Sequence, residues 1–336
     1  MPLTLSILDQ SPVSEGSTAA DALAHSVDLA QFAEALGYAR YWVAEHHGTP
    51  MLAGTTPEIL IGQIAAHTSR IRVGSGGVML PHYSPLKVAE TFNMLGMLFP
   101  DRIDLAVGRA AGTDPLHAFA LQRDRRSASP DDFPEQLAEL LGYLRDGLPE
   151  GHRFARLLPP TTSSPPVWLL GSSPQSGIWA AEQGLPYAFA DFINPNGMSV
   201  AQQYRRDFVA SRTQSTPKIA VAVWALVGET QEQATRLASS AQVAFLQFLG
   251  GRPIRVPPVD EAVRLLQHRP ETLQVFNQRR RTVIGDPGFV RAGIEEIAAE
   301  YGADEVFVVT ITHDHQARRR SYQLLADACS LTPGQI

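Results

Sequence analysis

Eight short apolar runs, each stopped by Gly, Pro, Asp or Ser, recur along the 336-residue chain and limit its possible folds more than any other feature. They read "LTLSIL", "ARYWVA", "IRVGSGGVML", "IDLAVG", "PVWLLG", "YAFA", "IAVAVWALV" and "EVFVVTI". Most are apolar at consecutive positions, so both faces of each strand need cover. The segments between them supply it, because they carry helical spacing: Ala22 to Leu36 closed by Gly37, Pro57 to Ala66, Pro85 to Leu98, Phe133 to Leu144, Gln175 to Gln183, Glu232 to Phe248 and Phe289 to Glu300. Strands alternating with helices predict a buried parallel sheet. Eight such units favour one closed (β/α)8 barrel, a single domain over residues 1–336, over an open sheet.

Two connections are longer than a βα unit requires: Thr113 to Pro130 after strand 4 and Gly250 to Gly285 after strand 7. Both start at the C-terminal end of the barrel, where barrel enzymes keep their sites, so they read either as lids or as tolerated surface insertions. Composition narrows the function. With 44% hydrophobic and 18% charged residues the chain is of the soluble globular class, and a net charge of −6 argues against a surface built to neutralise phosphates. The basic runs at Arg123, Arg125 and Arg126 and at Arg279 to Arg281 read as solvated faces or loop edges. Cys329 is the single cysteine, which excludes an intrachain disulfide and a cysteine-rich metal cluster. No stretch resembles a signal peptide or approaches the roughly 20 apolar residues of a bilayer span. The expectation is a cytoplasmic protein with neither a membrane nor a nucleic-acid partner.

"YWVAEHHGTP" places Glu45, His46 and His47 at the end of the second strand, in the region where barrel loops meet. Adjacent residues of an extended chain point to opposite sides, so two neighbouring histidines are poorly placed to chelate one ion. A neutral imidazole aimed into the barrel mouth is suited to proton transfer near pH 7, with the glutamate setting its tautomer and orientation. His313 and His315 in "THDH" are a weaker metal candidate, since Asp314 or Thr312 there equally serves as a helix cap.

Gly74, Gly76 and Gly77 interrupt a strongly β-forming run, which is costly unless the backbone bends or something approaches it closely. A flat ring against the strand is one reason, a β-bulge the other. "IDLAVGRAAGTDP" ends a strand at Gly108 and Arg109, where a guanidinium offers a fork of donors to an anion. In "PVWLLGSSPQSGIWAAEQG", Ser172, Ser173 and Ser176 surround a helix start, so the free amides and hydroxyls form an anion cradle, or Ser173 simply caps the helix. In barrel order Arg109 and the serine turn are neighbours and could grip one phosphate.

Taken in order, "YWVAEHH", "VGSGGVMLPHYSPLKVAE", "DRIDLAVGRAAGTDP" and "GSSPQSGIWAAEQGLP" resemble the bacterial luciferase-like flavin monooxygenases, well over residues 3 to 195 and loosely at the last strand and helix. The resemblance implies a barrel that uses FMN, delivered reduced by a separate flavin reductase, and O2, which together form a flavin C4a-peroxide that oxygenates a small organic substrate. It puts Gly76 and Gly77 on a small-residue pair, often joined by a cis peptide, against the flavin ring. Arg109, Ser173 and Ser176 fall on phosphate ligands, Ser172 replaces an acidic neighbour, and His46 falls on the catalytic histidine, leaving His47 as a packing residue. It also implies a homodimer through the helices from Pro57 and Pro85. Gly108 stands where luciferases commonly carry cysteine, which counts against light emission. Within the same barrel class the alternatives are deazaflavin-dependent hydride transfer and flavin binding without turnover; a metal-dependent hydrolase resting on "HDH" comes last.

Overall fold

In the computed structural model, which describes residues 3–110, 112–121, 132–158, 164–268, 276 and 280–333, all eight expected runs form strands. They are β1 (Thr4–Asp9), β2 (Arg40–Val43), β3 (Arg72–Ser75) with its continuation β4 (Val78–Met79), β5 (Ile103–Gly108), β6 (Val167–Gly171), β7 (Tyr187–Ala190) and β8 (Ile219–Val227), then an added β9 (Thr282–Gly285), and finally β10 (Glu305–Val309). Neighbouring strands pair in parallel, and β10 bonds to both β1 and β8, which closes a (β/α)8 barrel.

The sheet departs from eight continuous strands in two places. The third is divided at Gly76 and Gly77, which are joined by a cis peptide, and β4 re-pairs with the end of β5. The other departure follows from the length of β8. Its first half pairs with β7 and β10, while Trp224 to Val227 run on past the barrel and bond to β9. Buried backbone groups need partners, and β9 supplies them from inside the Gly250 to Gly285 segment.

The helices are α1 (Ala19–Leu36), α2 (Pro57–His67), α3 (Pro85–Leu98), α4 (Pro115–Leu121), α5 (Phe133–Leu141), α6 (Pro174–Glu182), α7 (Met198–Asp207), α8 (Gln231–Leu249), α9 (Val259–His268), α10 (Pro287–Tyr301) and α11 (His315–Ala328). Helix α1 begins before its apolar stripe because Thr18 and Asp21 form a reciprocal capping box. It stops at Gly37, whose φ of 92° lets its N–H reach back to the carbonyls of Ala33 and Glu34. Helices α4, α7, α9 and α11 are additional to those that spacing predicts; α7 buries just Val200, Ala201 and Tyr204. Among the described residues both long connections thus contain helix or strand. The segment 122–131, with Arg123, Arg125 and Arg126, lies outside the described residues, as does Arg279. Among the described residues no helix is long and apolar enough to cross a membrane.

Alternation along the strands sorts side chains into two layers. In β8, Ile219, Val221 and Val223 pack outward against helices, while Ala220, Ala222 and Trp224 point into the barrel. At the N-terminal end the interior is filled by Trp42, which stacks on Phe307 at 4.2 Å between ring centroids and meets Trp168 edge-on at 5.3 Å. Below them lies a closed charge network. Buried Asp104 accepts hydrogen bonds from Arg40 (2.6 Å), Arg72 (2.6 Å) and the Trp42 indole (3.1 Å), and Glu305 accepts from Arg40 (3.0 Å) and Ser6 (2.5 Å). Toward the other end the inward positions shrink to Ala44, Ala188, Ala190 and Ala222, and the interior opens.

Candidate active site

The opening is a cavity of about 300 Å³ at the C-terminal end of the strands, and it gathers side chains that are far apart in sequence. His46, Gly76, Gly77, Arg109, Ser172, Ser173 and Ser176 all line it. Gly77 cannot carry a larger side chain, since a Cβ there would sit 2.7 Å from the carbonyl oxygen of Ala106. Gly108 has open space within 4 Å of its missing Cβ, so the absent side chain adds room. Leu8, Trp42, Met79 and Leu170 complete the apolar wall around the glycine pair.

One end of the cavity is suited to an anion. Arg109 follows β5, the serine turn follows β6, and these strands are hydrogen-bonded neighbours. The two are tied more directly as well, because the Arg109 guanidinium lies 5.4 Å over the Trp179 ring of α6. Ser173 precedes α6 but its hydroxyl makes no capping bond, so the simple capping role is not realised and the first-turn amides are left for another acceptor. Ser176 is different. Its hydroxyl donates to the Ser173 carbonyl at 2.7 Å and bonds the Tyr187 hydroxyl at 2.8 Å, so it braces the turn.

His46 and Glu45 separate in the structure. His46 is held by its backbone N–H, which donates to the Gly54 carbonyl at 2.8 Å, while its buried Nδ1 has no hydrogen-bond partner. Burial, with a smaller contribution from nearby His47, pulls its pKa down to about 4. The ring is neutral at pH 7 with one nitrogen uncommitted. Glu45 does not orient it, contrary to the sequence expectation: as a turn begins after β2, the carboxylate faces His47 (2.8 Å), the Tyr83 hydroxyl (2.7 Å) and the Met79 amide (2.9 Å). Buried Glu45 therefore locks the strand carrying the glycine pair to the histidine loop; burial first, and then the adjacent Glu45 carboxylate, push the Tyr83 phenol up. His47 is further fixed by backbone bonds to Gly112 and Thr113.

A second, larger cavity of about 660 Å³ adjoins the first, and His46, Gln10, Phe192 and Ile193 border both. Its walls are mainly apolar, with Met51, Leu52, Trp224, Phe245, Phe248 and Ile311, and Arg280 is its guanidinium. Sequence reading missed this chamber. Its residues come from eight separate segments, and the one available signal was the Arg279 to Arg281 run, which reads as solvated. That expectation is corrected: Arg281 pairs with Asp191 and Glu300, both at 2.6 Å, and half-buried Arg280 faces the cavity. The "THDH" residues do not converge. His313 bonds the Glu15 carbonyl, His315 bonds Asp28 and stacks on His25, and Asp314 caps α11 through the Ala317 amide. Among the described residues no group of three metal-ligating side chains forms.

Residues 1–305 match the model of the luciferase-like monooxygenase family. The relatives include Bacillus subtilis YwcH, 47% identical over 97% of this chain and 99% of that protein, and the N-acetyl-S-alkylcysteine monooxygenase of the same organism, 39% identical over 97% and 98%. Among solved structures, apo-MsnO8 superposes with a TM-score of 0.90 at 41% identity, covering 98% of this chain and 99% of that one. The chain belongs to the luciferase-like monooxygenase family and is an oxidoreductase of the monooxygenase type.

Proposed function

We propose that the protein is an FMN-dependent monooxygenase that takes reduced flavin from a separate flavin reductase, consumes O2 and oxygenates a small organic substrate. The observation that carries this reading is the convergence, in one cavity, of a glycine floor, an anion-binding end and a neutral imidazole with an unpartnered nitrogen. These fit the group's two halves. Gly76 and Gly77 leave a wall without side chains for a planar ring, while Arg109, the hydroxyls of Ser172 and Ser173 and the free amides of α6 suit a terminal phosphate. Bound reduced flavin supplies the electrons for activating O2, by the route that the family resemblance implies.

The chain's own residues have distinct tasks. Arg109 and the serine turn bind and orient. Glu45, though not facing the cavity, positions the glycine wall through the Met79 amide. His46 holds or moves a proton at Nδ1, at the border of the two cavities, and its low pKa keeps that nitrogen available as an acceptor at neutral pH. The apolar second chamber receives the substrate and excludes water, which protects a reactive oxygen species from wasteful release. Oxygenation is favoured over deazaflavin hydride transfer because a relative 39% identical along its full length is named as a monooxygenase.

Anaerobic titration with reduced FMN, reduced riboflavin and a reduced deazaflavin tests the reading. FMN is expected to bind, with riboflavin weaker by about 10-fold or more for want of its phosphate. Equal binding of FMN and riboflavin would reject the anion end, and preference for the deazaflavin would reject FMN. Helices α2 and α3 expose Ile59, Met94, Met97 and Leu98, each by more than half, and we assign this face to a homodimer contact that sedimentation velocity would read.

A further inference from the structure

Arg280 and Arg281 are adjacent in sequence and opposite in circumstance. Arg281 has two carboxylates, Asp191 and Glu300, which raise its pKa. Arg280 lines the larger cavity, where burial acts on its guanidinium alone and lowers its pKa. Among the described residues it forms no ion pair. Its partners are the Phe192 carbonyl, to which Nη1 donates, and the Phe245 ring, which lies 4.3 Å beneath the guanidinium carbon. Asp114, the one carboxylate among the described residues of the cavity wall, is engaged by His117 and by the amides that open α4.

A guanidinium offers five N–H donors, and one carbonyl uses few of them. Leaving a desolvated cation without a counter-charge costs stability, and nothing in the fold requires it here, since the neighbouring position shows that this segment reaches carboxylates. An incoming anion would offset that cost. The planar fork matches a carboxylate's two oxygens, and a single fixed guanidinium suits a monoanion better than a phosphate dianion. The rest of the chamber is apolar and aromatic, with Met51, Leu52, Trp224, Phe245 and Phe248.

We infer that the larger cavity takes an amphipathic organic carboxylate, its charged head on Arg280 and its apolar part against the aromatic wall. The inference rests on the oxygenase reading above and adds the substrate's class and a specificity-determining residue. Phe192 links the two. It borders both cavities, and its carbonyl is the group that Arg280 holds, so the residue that anchors the acid also braces the passage toward His46.

The test uses calorimetric binding to the flavin-free protein, with octanoate, 4-phenylbutanoate and N-acetyl-S-benzylcysteine as probes, each beside its methyl ester. At least one acid is expected to bind more tightly than its ester. Arg280→Gln should weaken that acid by about 10- to 100-fold and leave the ester within about 3-fold, while Arg280→Lys, which keeps the charge without the fork, should fall between. A purely structural role would weaken acid and ester alike, and that result would overturn the proposal. So would equal affinity for acid and ester in the wild type, or failure of every acid to bind. FMN affinity, measured on the same proteins, keeps the two readings apart: acid binding without flavin binding sinks the flavin assignment alone, and flavin binding without acid preference sinks this one.

Discussion

At the N-terminal end of the barrel, buried Asp104 is met by two guanidinium groups and an indole, and Glu305 by Arg40 and Ser6. At the C-terminal end of the same parallel strands the polar groups are treated otherwise: among the described residues His46 Nδ1 has no partner and Arg280 no carboxylate. The same parallel scaffold carries both. A saturated network holds the strand starts in register, whereas unmet donors and acceptors at the strand ends mark where a ligand completes the bonding. Between these two ends of the barrel, completeness of pairing thus separates the end that supports the fold from the end where the cavities lie.

Breaking the saturated end should have the largest effect. Asp104→Ala strands Arg40 and Arg72 without their shared carboxylate and is expected to cost about 3–5 kcal/mol in urea unfolding. At the open end, His46→Ala is expected to lower product formation about 100-fold, with reduced-FMN affinity within about 3-fold of wild type. Turnover at the wild-type rate would remove its proton-handling role. Arg109→Ala should raise the FMN dissociation constant roughly 10-fold or more while the unfolding midpoint stays put, and unchanged affinity would count against the phosphate assignment.

A pH series sharpens the contrast with the smallest expected effect. Folded His46 stays neutral down to about pH 4, whereas the unfolded chain's imidazole takes up a proton near pH 6.5. Unfolding then binds a proton as pH falls, so the stability associated with this group is fully present above pH 6.5 and is lost between 6.5 and 4. With the ring open to the cavity, the loss should be about 1–2 kcal/mol. His46→Asn should flatten that part of the stability profile, and an identical profile in the variant would show that the imidazole is not desolvated.

Much of the fold was legible from sequence because its signals are local. The run "IAVAVWALV" is apolar on both faces wherever it lies, and Gly37 ends α1 through its own backbone conformation. The fourth and fifth units were readable as a pair for the same reason, since consecutive βα units of a barrel are spatial neighbours. Glu45 was misread because "EHH" does not say which histidine its carboxylate meets; the answer depends on Tyr83 and Met79 arriving from the next unit. The larger cavity was invisible because its walls join residues as distant as Gln10 and Ile311, and no spacing rule relates them.

The amino-acid sequence by itself determined the parallel strands, the order of the units and the placement of His46, Gly76, Gly77, Arg109 and the serine turn at one barrel end, because periodicity, strand direction and capping are properties of short segments. Tertiary structure alone decided which polar groups find partners. That outcome depends on where distant chains cross, and it separates Arg281, joined to Asp191 and Glu300, from Arg280, turned toward the cavity.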